Sequence, residues 1–108
     1  MPVRETGTID AMAENEDELV LLIIDQVTWA MAQTEHLSLL QKKLNSYIRF
    51  IDSMGWRRQF GDRAFSSFLI QIEFRYQYPE YIKDFINSAD GELKKRNLRI
   101  EYNVRSRE

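Results

Sequence analysis

Residues 18–26 read Glu-Leu-Val-Leu-Leu-Ile-Ile-Asp-Gln, and the six from Leu19 to Ile24 form the longest apolar run in the chain. A run of that length, rich in branched residues and apolar on both faces, predicts an interior strand of a sheet. It falls far short of the roughly twenty residues needed to cross a bilayer. The N-terminus carries no basic segment followed by a signal-type apolar core, so the sequence points to the cytosol and away from a membrane. Before the run lie a polar turn, Glu14-Asn15-Glu16-Asp17, and a weaker stretch, Thr8–Ala13, whose alanines suit an edge strand. Together these form a β-hairpin.

Beyond Gln26 the pattern lapses until Thr34, which offers an N-cap, and Glu35, which suits the positive end of a helix. Leu37, Leu40, Leu44, Tyr47, Ile48 and Ile51 recur at three- and four-residue spacing, and Gly55 stands where a left-handed C-terminal residue is expected. A helix is predicted over 34–54. Phe68, Ile70, Ile72, Phe74 and Tyr76 then alternate with Leu69, Gln71, Glu73, Arg75 and Gln77, as in a half-buried strand. Pro79 opens a second helix lined by Ile82, Phe85, Ile86, Ala89 and Leu93, expected to continue through Asp90-Gly91 to about Arg96 and to stop at Asn97. Leu98, Ile100, Tyr102 and Val104 alternate with Arg99, Glu101, Asn103 and Arg105 in a final strand.

The order is ββαβαβ. One helix between each of the last three strands implies right-handed crossovers and hence parallel neighbours, with the first strand antiparallel to the second. The expected class is α/β (α+β): a two-layer sandwich with a four-stranded mixed sheet and two helices on one face. The open face would carry Gln71, Glu73, Arg75, Arg99, Glu101 and Asn103. Residues 1–7 are a loose lead-in and 8–108 a single domain.

Composition narrows the chemistry. With 108 residues, 44% of them hydrophobic and 30% charged, the chain belongs with ordinary globular domains able to bury a core. The absence of cysteine removes disulfides, thiolate nucleophiles, sulfur-ligated zinc and iron–sulfur clusters. A net charge of −2 hides an acidic N-terminal part, eight acids and one base over 1–40, and a basic remainder, fourteen bases and nine acids over 41–108.

The segment Asp25…Trp29…Glu35-His36-Leu37-Ser38-Leu39-Leu40-Gln41-Lys42-Lys43-Leu44-Asn45-Ser46-Tyr47-Ile48-Arg49-Phe50-Ile51, with the strand ending at Tyr76 and the helix start Pro79-Glu80, resembles a family of small bacterial proteins classed as a domain of unknown function. The resemblance covers roughly residues 8–104 and is most specific in the H-L-x-L-L-Q-x-K-L-N-x-Y-x-x-F-I pattern at 36–51. It implies a bacterial cytosolic protein with this element order, and no activity, cofactor or catalytic set. The 55–66 linker is where the chain departs from that pattern.

Two clusters stand out. Ligands favour the carboxyl ends of parallel strands, which gathers Asp25, Thr28, Trp29 and His36 with Tyr76–Tyr78, Arg105 and Glu5–Thr8. His36 is the sole imidazole, and Asp25 can orient it as a general base; no nucleophile accompanies it, so no catalytic residue is assigned. Asp25, Trp29, His36 and Tyr78 are candidate ligand-binding residues. The second cluster is the linker, where Trp56, Arg57, Arg58, Phe60 and Arg63, with Phe65, combine charge with stacking surface. The favoured reading is a non-enzymatic protein that contacts a protein partner or its own copy, a homodimer included, through that loop. Small-ligand binding or a minor enzymatic activity at the Asp25 rim is the alternative. Nucleic acid is a third and less favoured reading, since Glu14–Glu18, Asp62 and Glu92 dilute the basic surface. No cofactor is expected, and no metal, because Glu14, Glu16, Asp17 and Glu18 lack the glycine and spacing of a calcium loop.

Overall fold

In the computed structural model, which describes residues 9–29 and 33–104, strands β1 (Ala11–Asn15) and β2 (Glu18–Asp25) meet at a two-residue turn. Glu16 turns the corner at φ 56°, a left-handed conformation that few side-chain-bearing residues adopt. Glu14 and Asn15, expected in the turn, are instead paired with Leu19 and Glu18. The expected strand start at Thr8 lies outside the described residues. At the other end Asp10 leaves the ladder because its side chain does the pairing: Oδ2 accepts the Ile24 N–H at 2.9 Å and Oδ1 accepts from Lys43 Nζ at 2.7 Å.

Helix α1 (Gln33–Asp52) buries His36, Leu40, Lys43, Leu44, Tyr47 and Ile51. Thr34 thus sits within the first turn and not before it. At the C-terminus Gly55 N–H donates to Phe50 C=O at 2.9 Å and Met54 N–H to Ile51 C=O at 3.1 Å, a Schellman arrangement. The left-handed residue of that cap is Met54, at φ 57°, and not Gly55 as the sequence suggested. Gly55 answers a different need: a Cβ there would lie 2.5 Å from Phe50 Cδ1. The linker that follows contains a four-residue helix, α2 (Arg57–Phe60).

Strand β3 (Ser67–Phe74) pairs parallel with β2, and β4 (Leu98–Val104) pairs parallel with β3, giving the sheet order β1-β2-β3-β4. Between them α3 (Glu80–Leu93) ends three residues earlier than expected, because Lys94–Arg96 tighten into a 3₁₀ turn that stops at Asn97, φ 58°. Gly91 stays helical. The neighbouring Asp90 protects the sheet edge, since its Oδ1 accepts the Ile100 N–H at 2.8 Å and caps a donor on β4 that would otherwise invite another strand.

The mixed sheet with helices makes an α+β fold. Leu19, Leu21 and Ile23, Ile70, Ile72 and Phe74, and Leu98 and Ile100 form one core with Leu40, Leu44, Tyr47 and Ile51 of α1 and Ile82, Ile86 and Leu93 of α3. On the opposite face of the sheet Val20, Leu22, Ile24, Gln71 and Glu73 are half-buried, while Arg99, Glu101 and Asn103 are exposed. Arg99 there reaches Glu18 at 3.1 Å and Glu101 at 3.0 Å.

Lys43 is fully buried within the core and lies 5.7 Å from the Tyr47 ring centroid. The Tyr47 hydroxyl donates to Leu22 C=O and accepts the Asp10 N–H at 2.8 Å. Burial pushes the Tyr47 phenol well above its ordinary value near 10, and the neighbouring Asp10 carboxylate adds to the rise. Above about pH 10 the unfolded chain releases the tyrosyl proton and the folded chain keeps it, so stability present at neutral pH falls as pH rises. Urea midpoints measured from pH 8 to 11 should therefore decline less steeply for Tyr47→Phe than for the wild type; parallel curves would remove Tyr47 as a source of alkaline sensitivity.

Candidate functional site

Parallel pairing of β2 with β3 brings their carboxyl ends side by side, and Asp25 is the last residue of β2. Its C=O accepts the Arg75 N–H at 2.8 Å, extending the ladder, while its Oδ1 accepts the Val27 N–H at 3.1 Å and turns the chain out of the sheet. The carboxylate is wholly buried. His36, in the first turn of α1, places Nε2 at 2.7 and 2.9 Å from the two carboxylate oxygens. A carboxylate oxygen accepts, so Nε2 is the donor of this contact, and Nδ1 is the ring nitrogen left over.

The Trp29 indole stacks on that imidazole, with ring centroids 3.5 Å apart and planes 13° from parallel. From Trp29 the aromatic contacts continue through Phe74 at 6.2 Å, Tyr78 at 5.1 Å and Tyr102 at 5.6 Å. Trp29 Nε1 and His36 Nδ1 are both buried without a hydrogen-bond partner among the described residues. Unmet buried polar groups cost about 1–3 kcal/mol each, which makes two in contact an uncommon arrangement.

Over this unit lies a wide depression of about 520 Å³ lined by Thr28, Trp29, Gln33, Tyr76, Gln77, Tyr78 and Pro79. None of these side chains is charged. Tyr76 is 43% exposed, and Tyr81, 39% exposed, donates its hydroxyl proton to Gln33 Oε1 at 3.0 Å. The fold thus brings Asp25, Trp29 and His36 into mutual contact and Tyr78 to the same end. Arg105 and Glu5–Thr8, placed at this rim by the sequence, lie outside the described residues. Sequence reasoning missed Gln33 and Tyr81. Only the three-residue step from Tyr78 to Tyr81, one helical turn, hinted at the second.

The linker cluster is built otherwise. Trp56 is 6% exposed, its Nε1 donates to Arg63 C=O at 3.0 Å, and its ring packs on Phe65 at 5.9 Å and Phe68 at 5.2 Å. Phe60 packs edge-on against Phe65. Arg63 lies over the Phe65 ring at 5.0 Å and pairs with the Glu14 carboxylate and the Glu16 C=O. Arg57 and Arg58 are exposed.

With this geometry in place, comparison with known families becomes informative. The model of a family of unknown function, DUF6572, matches residues 1–106. The chain belongs to that family. Among curated proteins and among solved structures nothing matches it. Membership in DUF6572 agrees with the expected family of unknown function and assigns no chemistry to any residue, so the site has to be read from its own atoms. Among the described residues no helix is long and apolar enough to cross a membrane, and no three His, Cys, Asp or Glu side chains are grouped to hold a metal ion.

The Asp25–His36 contact also holds the start of α1 to the end of β2. Asp25→Ala should lower the unfolding free energy by about 3 kcal/mol, the order expected when one member of a buried pair is removed and its partner stays buried. A urea midpoint within error of the wild type would show that the contact contributes nothing to stability.

Proposed function

We propose that this DUF6572 chain binds a small ligand in the depression at the carboxyl ends of β2 and β3, with Trp29 as its floor, Tyr78, Tyr76, Gln33 and Gln77 as its walls, and the Asp25–His36 pair as the support that holds the indole. The observation that carries this reading is the pair of unsatisfied ring nitrogens, on Trp29, which lines a surface of uncharged aromatic, amide and hydroxyl groups, and on His36 stacked against it. Packing alone gives no reason to leave such groups unmet, whereas a site that takes up a polar ligand does. The location is also the one at which parallel sheets present their loops. Protein-observed ¹⁵N–¹H NMR with a chemically mixed fragment collection should yield compounds that perturb the Thr28 and Gln77 amides. Their binding should be lost in Gln33→Ala/Tyr76→Ala with thermal stability unchanged. A collection without binders, or binders indifferent to those substitutions, would discard the site.

A second reading, contact with a protein partner or with another copy through residues 56–65, is supported by the exposed pair Arg57 and Arg58, carried on a turn that buried Trp56 braces from beneath. Here Trp56, Phe60 and Arg63 act as the scaffold of the surface, and the arginine pair as its contact. The same arginines argue less for nucleic acid, since Glu14 takes Arg63 and Asp52 takes Arg96, leaving mixed charge where phosphate binding wants an uninterrupted basic patch. Light scattering of the wild type should show a concentration-dependent species larger than the monomer, or a pull-down a bound partner, that Arg57→Ala/Arg58→Ala removes. Association unaltered by that variant would end this reading.

A further inference from the structure

Resting on the small-ligand reading above, we infer that the ligand is a neutral, hydroxyl-rich molecule, a saccharide or polyol, which satisfies the Trp29 indole N–H and the His36 Nδ1 with adjacent hydroxyl groups. Trp29 Nε1–H can only donate. With Nε2 committed to Asp25, Nδ1 is the ring atom left to meet a ligand, and a hydroxyl serves it as acceptor or as donor. Few functional groups both accept and donate at one atom, and the hydroxyl is the commonest of them. The rings stack with centroids 3.5 Å apart, so the two nitrogens sit on adjoining side chains and one ligand can address both.

The surroundings argue against charged and purely apolar ligands. An anion would meet no cationic side chain among the seven lining residues and would approach the buried carboxylate of Asp25. A cation would find aromatic faces and that carboxylate, but would leave the indole N–H unmet. A purely apolar ligand would leave both nitrogens unmet and would also bury the amides of Gln33 and Gln77 without partners. A polyol is served at every point: ring hydrogens against the Tyr76 and Tyr78 faces, and hydroxyls against Gln33, Gln77 and Thr28. Both nitrogens are closed to solvent, so a ligand reaches them only by displacing the Trp29 indole, which lines the depression. This makes the indole N–H resonance a direct reporter.

Only two indole N–H signals exist, from Trp29 and Trp56, and Trp29→Phe assigns them. In ¹⁵N–¹H spectra of the wild-type chain, titration with glucose, ribose, myo-inositol and glycerol should move the Trp29 indole signal downfield, saturably, while that of Trp56, already bonded to Arg63, stays in place. Acetate, inorganic phosphate, choline and benzene should leave both signals unmoved. Trp29→Phe keeps a stacking ring and removes the donor. It should still fold, with a melting temperature lowered by the cavity that the smaller ring leaves, and weaken the best hydroxyl probe on the order of tenfold, measured below both melting temperatures. Should only an ionic or apolar probe move the signal, the ligand class is overturned while the site itself survives. If no probe moves it, the hydroxyl inference falls, and the fragment screen with Gln33→Ala/Tyr76→Ala decides the small-ligand reading separately.

Discussion

Two buried carboxylates on the sheet side of the molecule, Asp10 and Asp25, receive two nitrogen groups from one face of α1, Lys43 and His36. The rest of the structure depends on this docking. Apolar side chains tolerate sliding, because one methyl packs about as well as the next. A buried carboxylate does not, since stripping it of its partner costs roughly 3–5 kcal/mol. His36 and Lys43 are seven residues apart, two helical turns, with Leu40 between them and Tyr47 one turn beyond Lys43. The stripe that packs on β2 is therefore apolar and polar by turns, and only one placement of the helix matches every polar group to its partner.

That placement has consequences at two points along β2. Near its middle, Asp10 and Tyr47 take over hydrogen bonds that a longer β1 would have made, so the hairpin parts and admits a lysine into the core. At its carboxyl end, Asp25 turns the chain outward, bonds the imidazole and, through it, supports the Trp29 indole. The depression above is then walled by the segment leaving β3, whose position follows from the parallel ladder carried on by Arg75. A site lined without charge but founded on a carboxylate–imidazole pair is the outcome. Two of its ring nitrogens, on Trp29 and His36, have no partner among the described residues.

The two aromatic clusters have opposite roles. At the carboxyl ends, Tyr76 and Tyr81 keep a large part of their surface in water. At the other end of the sheet, Trp56, Phe60 and Phe65 pack on one another and on Phe68, extending the core under a linker that runs from the end of α1 to the start of β3. The Trp56–Arg63 hydrogen bond folds that linker on itself, and the Arg63–Glu14 and Ser66–Asp17 contacts close it onto the hairpin. Length and aromatic content alone did not distinguish a presented loop from a packed one.

What the sequence by itself determined was whatever is written in local periodicity. The alternation at 68–74 and 98–104, the apolar run of β2 and the three-and-four spacing of α1 and α3 each reflect a face buried along one continuous element, and single helices between strands imply parallel order. From that order followed the meeting of Asp25, Trp29, His36 and Tyr78 at one end. Only the tertiary structure decided where polar groups that are far apart in the chain find each other. Asp10 with Lys43, Tyr81 with Gln33, Asp90 with the Ile100 amide, and Trp56 turned inward are pairings across the fold, and none leaves a repeat in the sequence. The cap of α1 belongs with them: Met54 takes the left-handed position because Gly55 is required, one residue later, to clear the Phe50 ring. Burial of apolar surface is additive along an element and so can be read from one. Satisfaction of a buried polar group depends on a single partner whose position exists only once the chain has folded.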